Sequence, residues 1–241
     1  MYRYFFKRFL DIIFALILLI PLAPIMLIIG LAIKIDSKGP VIFKQIRSGK
    51  NNKEFMLYKF RSMTCNNDFY DKTKEDQVTK VGKFIRKTSL DELPQLFNIL
   101  KGEMSFIGPR PWVIDYAKYF TDEQMRRLEV LPGITGLAQS SGRNAISILD
   151  RINLDVEYVN NISLMLDIKI IFKTIIGIIK KEGFSNSKSA IHEELRMLKM
   201  QHEDMYKEEY MKSKSNNVRK NKNNNEKDKK QTEKALVGSG V

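Results

Sequence analysis

The sequence predicts an α+β fold, mostly helical with a small β-hairpin, an N-terminal proline-broken re-entrant membrane helix and amphipathic interfacial helices. Three observations carry that prediction. An uncharged run of 22 residues, Ile12 to Ile33, contains Pro21 and Pro24 and has basic residues on both sides. Two short runs rich in strand formers flank a polar turn. Apolar residues then recur at helical spacing, ending in a stretch from Asp167 to Lys181 that is apolar almost all round its helical wheel.

A helix covering Ile12–Ile33 could just cross a hydrocarbon core of about 30 Å. Two features argue for a course that enters and leaves on one face. Pro21 and Pro24 deprive the carbonyls of Ile17 and Ile20 of their helical donors, so a break is expected at Ala23–Pro24. Lysine and arginine mark the cytoplasmic end of a membrane segment, yet Arg3, Lys7 and Arg8 precede this one while Lys34 and Lys38 follow it. A kinked transmembrane span is the alternative, because membrane helices tolerate proline. No small-residue cleavage site follows, so a removable leader does not fit.

Beyond the apolar run, Val41–Ile46 and Glu54–Phe60 read as strands joined by the turn-forming Ser48–Lys53. Residues 64–80 are polar and read as a loop. Leu93, Leu96, Phe97 and Leu100 have helical spacing and stop at Gly102. A further helix is expected from about Trp112 to Leu128. In the stretch 167–181, Lys169, Lys173 and Lys180 share one edge of a helical wheel, which suits either a helix lying on a membrane surface or a core helix with a solvated margin. Residues 191–212 could form a charged helix, and 213–234, dominated by Asn, Lys and Glu, reads as disordered. The resulting organisation is a membrane helix over 1–36, a body over 37–185 and a charged tail over 186–241.

Composition narrows the chemistry. The 241 residues carry a net charge of +13, which calls for an anionic partner such as nucleic acid, acidic lipid or a phosphorylated substrate. The tail from Glu203 holds ten basic and seven acidic residues, so most of the excess lies in the body. A single cysteine, Cys65, excludes an intrachain disulfide. Both histidines, His192 and His202, lie in the tail, which excludes a histidine base or histidine-ligated zinc from the body. No groove-reading helix or RNA-binding aromatic signature is present, so nucleic acid is not the expected partner.

Carboxylates and cations must therefore do the work. Asp91 and Glu92 lie together ahead of an apolar helical run, where the positive end of a helix favours their ionised forms. Ser89 and Glu92 have the spacing of a capping box, which is the purely structural alternative. Lys59, Arg61, Lys83, Arg86 and Lys87 supply positive charge nearby in sequence. In Gly108-Pro109-Arg110-Pro111 the two prolines hold Arg110 extended, pre-organised as a fork for phosphate or carboxylate; a rigid turn with a solvated arginine is the alternative.

Lys59-Phe60-Arg61-Ser62-Met63, Ser89-Leu90-Asp91-Glu92-Leu93-Pro94-Gln95, Gly102 to Pro111 and Pro132-Gly133-Ile134-Thr135-Gly136 occur in the order of the bacterial sugar transferases. Gly142-Arg143-Asn144, Leu154-Asp155-Val156 and Leu166-Asp167-Ile168-Lys169 extend a resemblance that covers about residues 1–185. The chain resembles their small monotopic members, the phosphoglycosyl transferases. That resemblance implies transfer of a sugar-1-phosphate from a UDP-sugar to undecaprenyl phosphate at the cytoplasmic membrane face, with release of UMP. It implies Asp91 as the nucleophile that forms a covalent phosphosugar intermediate, Glu92 with Asp91 at a Mg²⁺ site, and Arg110, Lys59 and Arg86 as phosphate-binding cations. Asp155 and Arg143 fall in the family's active-site region without an assigned role. Membrane lipid, downstream glycosyltransferases and a second copy of the chain are the further partners it suggests. The family's helix break is commonly Ser-Pro, where this chain has Ala23-Pro24.

The topology has a direct check. Cysteines engineered at residues 2 and 38 should react with an impermeant reagent from the same side of the membrane. Labelling from opposite sides would establish a span.

Overall fold

The computed structural model describes residues 2–65, 77–142, 146–180, 196–205 and 207. The chain divides into two compact units, Met1–Glu194 and Leu195–Val241. In the second, residues 196–205 and 207 are helical, which agrees with part of the expected charged helix. The stretch expected to be disordered lies outside the described residues.

The first unit opens with a π-helical turn, Tyr2–Phe6, that runs into α1, Lys7–Asp36. α1 is long and apolar enough to cross a membrane. Its helical assignment continues through Pro21 and Pro24, so the expected interruption at Ala23–Pro24 is not seen. Both prolines stand on the exposed side of the helix, where their rings do not intrude on packing. The inward side is a stripe: Asp11, Ala15, Leu19, Leu22, Met26, Ile29 and Ile33 recur at spacings of three and four. Ala15, Leu19 and Leu22 pack with Phe55, Leu57, Leu96 and Ile99, and Met26, Ile29 and Ile33 pack with Phe60 and Ile85. The other side, including Phe14, Ile17, Ile20, Leu27, Ile28 and Leu31, is exposed.

Polar contacts hold both ends of α1 to the same body. Near its start, Arg8 donates to the carbonyls of Ile99 and Leu100 at 2.7 and 3.2 Å, and Asp11 accepts from the Phe106 amide at 3.1 Å. Lys7 pairs with buried Asp167 at 2.7 Å. At the far end Arg61 donates to the carbonyls of Ser37 and Lys38, and Asp36 accepts from the Val81 amide.

The expected hairpin is present. β1, Ile42–Ser48, pairs antiparallel with β2, Glu54–Phe60, from Ile42 opposite Phe60 to Ser48 opposite Glu54. Its turn is made by Asn51 and Asn52 with φ of 55° and 57°, a conformation asparagine tolerates. α2, Lys80–Lys87, starts at Thr79, whose side chain accepts from the Gly82 amide. A short 3₁₀ turn, Leu90–Glu92, leads into α3, Gln95–Lys101, which stops at left-handed Gly102 as the sequence suggested. β3, Ser105–Ile107, pairs in parallel with β4, Gly133–Thr135. The two approach closely at Gly108 and Gly133, where a Cβ on either would collide with backbone of the other segment.

The single helix expected over 112–128 is instead three short pieces: 3₁₀ Ile114–Tyr119, α4 Asp122–Met125 and 3₁₀ Arg126–Leu128. Phe120 is extended and buried, and Thr121 begins a new capping box with Gln124, so the backbone restarts there. α5, Leu137–Ser140, α6, Ile148–Asn160, and α7, Leu164–Ile179, follow. On α7 only Asp167 and Ile170 are buried, while Met165, Phe172, Ile175, Ile176 and Ile179 are exposed.

Asn98 is the polar pin of the core. Fully buried on α3, it donates to the Met56 carbonyl at 2.7 Å and to Glu103 at 2.6 Å, and accepts from the Tyr58 amide at 3.1 Å. Asn98→Ala strands those partners and should cost roughly 2–3 kcal/mol, lowering Tm by roughly 4–12 °C. Lys118→Ala, which breaks only an exposed pair with Asp115, should leave Tm unchanged.

Candidate active site

A cavity of about 860 Å³ opens where α1, α2, the 3₁₀ turn at Leu90–Glu92, the segment after β3 and helices α5 to α7 converge. The chain reaches it by an unusual turn: Ser89 adopts φ 57° and ψ 16° between α2 and the 3₁₀ turn. A left-handed non-glycine residue costs on the order of 1–3 kcal/mol, and such strain is concentrated at functional sites. The expected capping box at Ser89 is not formed, for Ser89 makes no side-chain cap and α3 starts only at Gln95. Asp91 and Glu92 thus precede α3 and line the cavity.

The two carboxylates differ. Glu92 accepts from Lys59 Nζ at 2.7 Å and from Arg110 Nη2 at 3.5 Å, both on Oε1. Burial alone would raise its carboxyl, but Lys59, and then Arg110, outweigh that and pull it down to about 2. Asp91 accepts no hydrogen bond among the described residues. Burial raises its pKa, the adjacent Glu92 charge adds to the rise, and Lys59, Arg86 and Arg110 oppose it. A permanent anion neutralises the cations while its neighbour stays unbonded and comparatively basic, a combination suited to attack on an electrophile.

Lys59, Arg86, Arg110 and Asp155 all line this cavity with Asp91 and Glu92. Arg143 lies outside the described residues. Asp155 is buried on α6 and binds Arg127 through Oδ2, at 2.6 Å to Nη2 and 3.1 Å to Nε. Arg127 also donates to the Arg110 carbonyl at 2.8 Å and lies 4.4 Å from the Trp112 ring centre. The sequence reading missed Arg127, which looks like half of a surface Arg126–Arg127 pair until Asp155 is brought beside it. It also missed Gln139 and Arg151, which line the cavity. Lys83 and Lys87 line it from α2, and their spacing with Arg86 was a usable helical signal.

Part of the lining is apolar. Leu18 and Leu22 come from α1, Leu96 from α3 and Ile178 from α7. Cationic and greasy walls enclosing one space can accommodate a ligand with a phosphate head and a hydrocarbon body.

Among the described residues, no group of three or more His, Cys, Asp or Glu side chains could form a protein cage for a metal. The acid pair does fit a cation that arrives with substrate phosphates. Mg²⁺ is commonly held by one or two carboxylates and phosphate oxygens, and both cation contacts to Glu92 fall on a single oxygen.

A family model described as bacterial sugar transferase matches residues 2–181. The chain is 46% identical over 183 residues to the uncharacterized sugar transferase EpsL of Bacillus subtilis, covering 75% of this chain and 91% of that one. It is 47% identical over 192 residues to the UDP-glucose:undecaprenyl-phosphate glucose-1-phosphate transferase of Klebsiella pneumoniae, covering 74% of this chain and 41% of that protein. It is 42% identical over 200 residues to the undecaprenyl-phosphate galactose phosphotransferase of Salmonella typhimurium, again covering 74% and 41%. The chain thus spans about two fifths of the length of the latter two relatives. The motif order, the convergence of the motif residues on one cavity and these matches agree: the chain belongs to the bacterial sugar transferase family.

Proposed function

We propose that this protein transfers a sugar-1-phosphate from a UDP-sugar to undecaprenyl phosphate, initiating a bacterial glycan. The observation that carries the reading is an unbonded, partly desolvated Asp91 beside a Glu92 that is held ionised by Lys59 and Arg110. Names of relatives that act on undecaprenyl phosphate with glucose or galactose support it.

In the first step an Asp91 carboxylate oxygen attacks the phosphorus that bears the sugar. The bond from that phosphorus to the bridging oxygen breaks, and UMP departs with the bridging oxygen. In the second, a phosphate oxygen of undecaprenyl phosphate attacks the same phosphorus and the bond to Asp91 breaks, restoring the carboxylate. Lys59, Arg86 and Arg110 offset repulsion between attacking anion and diphosphate. Mg²⁺, held by Glu92 and Asp91 when bound, would supply further neutralisation of the phosphates.

The membrane supplies the second substrate, and the exposed apolar sides of α1 and α7 suit insertion in its cytoplasmic leaflet. Bonds from both ends of α1 to one body favour a monotopic course over a span.

Purified protein in lipid nanodiscs, given undecaprenyl phosphate, Mg²⁺ and radiolabelled UDP-glucose, UDP-galactose or UDP-N-acetylgalactosamine, should yield lipid-linked sugar and UMP. Chelation should stop both. Asp91→Asn should lower the rate at least about 10³-fold while the protein remains in the membrane fraction; full activity in that variant would overturn the assignment.

The pH profile separates the two acids. In the Mg²⁺-free protein Asp91 should titrate above the ordinary aspartate range, as read by carboxyl NMR, while Glu92 remains charged down to about pH 2. Arg86 lowers the Asp91 pKa, so Arg86→Gln should move that titration to higher pH. A downward shift would contradict the electrostatics.

A further inference from the structure

One wall of the cavity carries hydrogen-bonding capacity that neither the phosphates nor the catalytic acids use. Gln139, on α5, has both side-chain atoms, Oε1 and Nε2, buried without a hydrogen-bond partner among the described residues. Asp155, on α6, is 1% exposed; Arg127 occupies its Oδ2, but Oδ1 is buried and equally unpartnered. Both residues line the cavity, and α5 packs against α6. Gly136 leaves room for this amide, since a Cβ on residue 136 would stand 2.6 Å from Gln139 Oε1.

Buried polar groups left without partners are costly, and they persist where a ligand or water completes them. Among these cavity-lining residues the unpartnered capacity is two acceptors, Gln139 Oε1 and Asp155 Oδ1, and one amide donor, Gln139 Nε2; Arg127 Nη1 is also unpartnered, but Arg127 does not line the cavity. An imide edge such as that of uracil offers a single N–H and can satisfy only one of the acceptors. Ionised phosphate offers acceptors alone, so it can satisfy Gln139 Nε2 but neither of the two acceptors. Hydroxyl groups each donate and accept, so neighbouring hydroxyls can satisfy all three positions.

We propose that Gln139 and Asp155 form a hydroxyl-reading subsite for the donor, which takes a sugar hydroxyl pair and fixes the donor's orientation while Asp91 acts on its phosphorus. The subsite rests on the transfer reaction proposed above. The hydroxyls can come from the transferred hexose or from the ribose of the nucleotide, and the two sources are separable by experiment.

The test pairs variants with deoxygenated donors. Full-length protein in nanodiscs is assayed for UMP release with the best of UDP-glucose, UDP-galactose and UDP-N-acetylgalactosamine, with the corresponding mono-deoxyhexose analogues, and with 2′- and 3′-deoxyuridine analogues. In the wild type, removing a hydroxyl read by this wall should lower kcat/KM roughly 10- to 100-fold. In Gln139→Leu, which fills the space without polar atoms, removing the hydroxyl that Gln139 reads should cost less than about twofold, because its partner is already gone, while the hydroxyl on Asp155 keeps its effect. Gln139→Asn, shorter by one methylene, serves as a second variant should the leucine protein not fold.

Loss of sensitivity to a hexose hydroxyl places the sugar in the subsite, and loss of sensitivity to a ribose hydroxyl places the nucleotide there. Additive losses at every hydroxyl, in variants that retain UMP release, would overturn the subsite while leaving the transfer reaction intact. No UMP from the wild type with any of these donors would remove that reaction and the subsite with it.

Discussion

The candidate site depends on one carboxylate satisfying two cations. Glu92 draws Lys59 from the end of β2 and Arg110 from its proline-bracketed segment towards a single oxygen. Without that anion, two positive charges would face each other across a partly desolvated cavity, where their repulsion is stronger than in water. With it, the cations are retained without engaging Asp91, which is left unbonded one residue away. The strained turn at Ser89 sets this division of labour, because it delivers both acids ahead of α3 instead of burying one of them in a cap.

A second buried pair supports the first from behind. Arg127 binds Asp155, donates to the carbonyl of Arg110 and stacks on Trp112, so the backbone that carries Arg110 is fixed independently of its side chain. A buried pair of this kind is weak evidence for stability in itself, since desolvation offsets much of the attraction. Its effect here is positional: it joins α6 to the Pro-Arg-Pro segment and thereby aligns the polar wall with the acid pair.

Much of this was legible in the chain because local rules suffice for it. The hairpin announces itself through two strand-forming runs around a polar turn, α3 through its apolar spacing and Gly102, and the acid pair through adjacency ahead of a helix. Other features depend on distant partners. β3 and β4 are three residues each and pair only because Gly108 and Gly133 allow close approach, which no local window reveals. Arg127 gains meaning from Asp155, 28 positions later. Gln139 is neutral and carries no charge pattern at all. α6 was a different kind of miss: Ile148, Ile152, Val156 and Val159 already stood at helical spacing. Over 112–128 a continuous helix was the wrong inference because Thr121 reopens the backbone with its own cap.

The way α1 is fastened has a consequence for handling the protein. Its inner stripe completes two hydrophobic clusters, covering Phe55, Leu57, Leu96 and Ile99 along one half and Phe60 and Ile85 along the other. The helix is therefore as much a wall of the globule as an anchor for it. A fragment trimmed after residue 36 would lose that wall and uncover its own interior, so the body and this helix form a single folding unit.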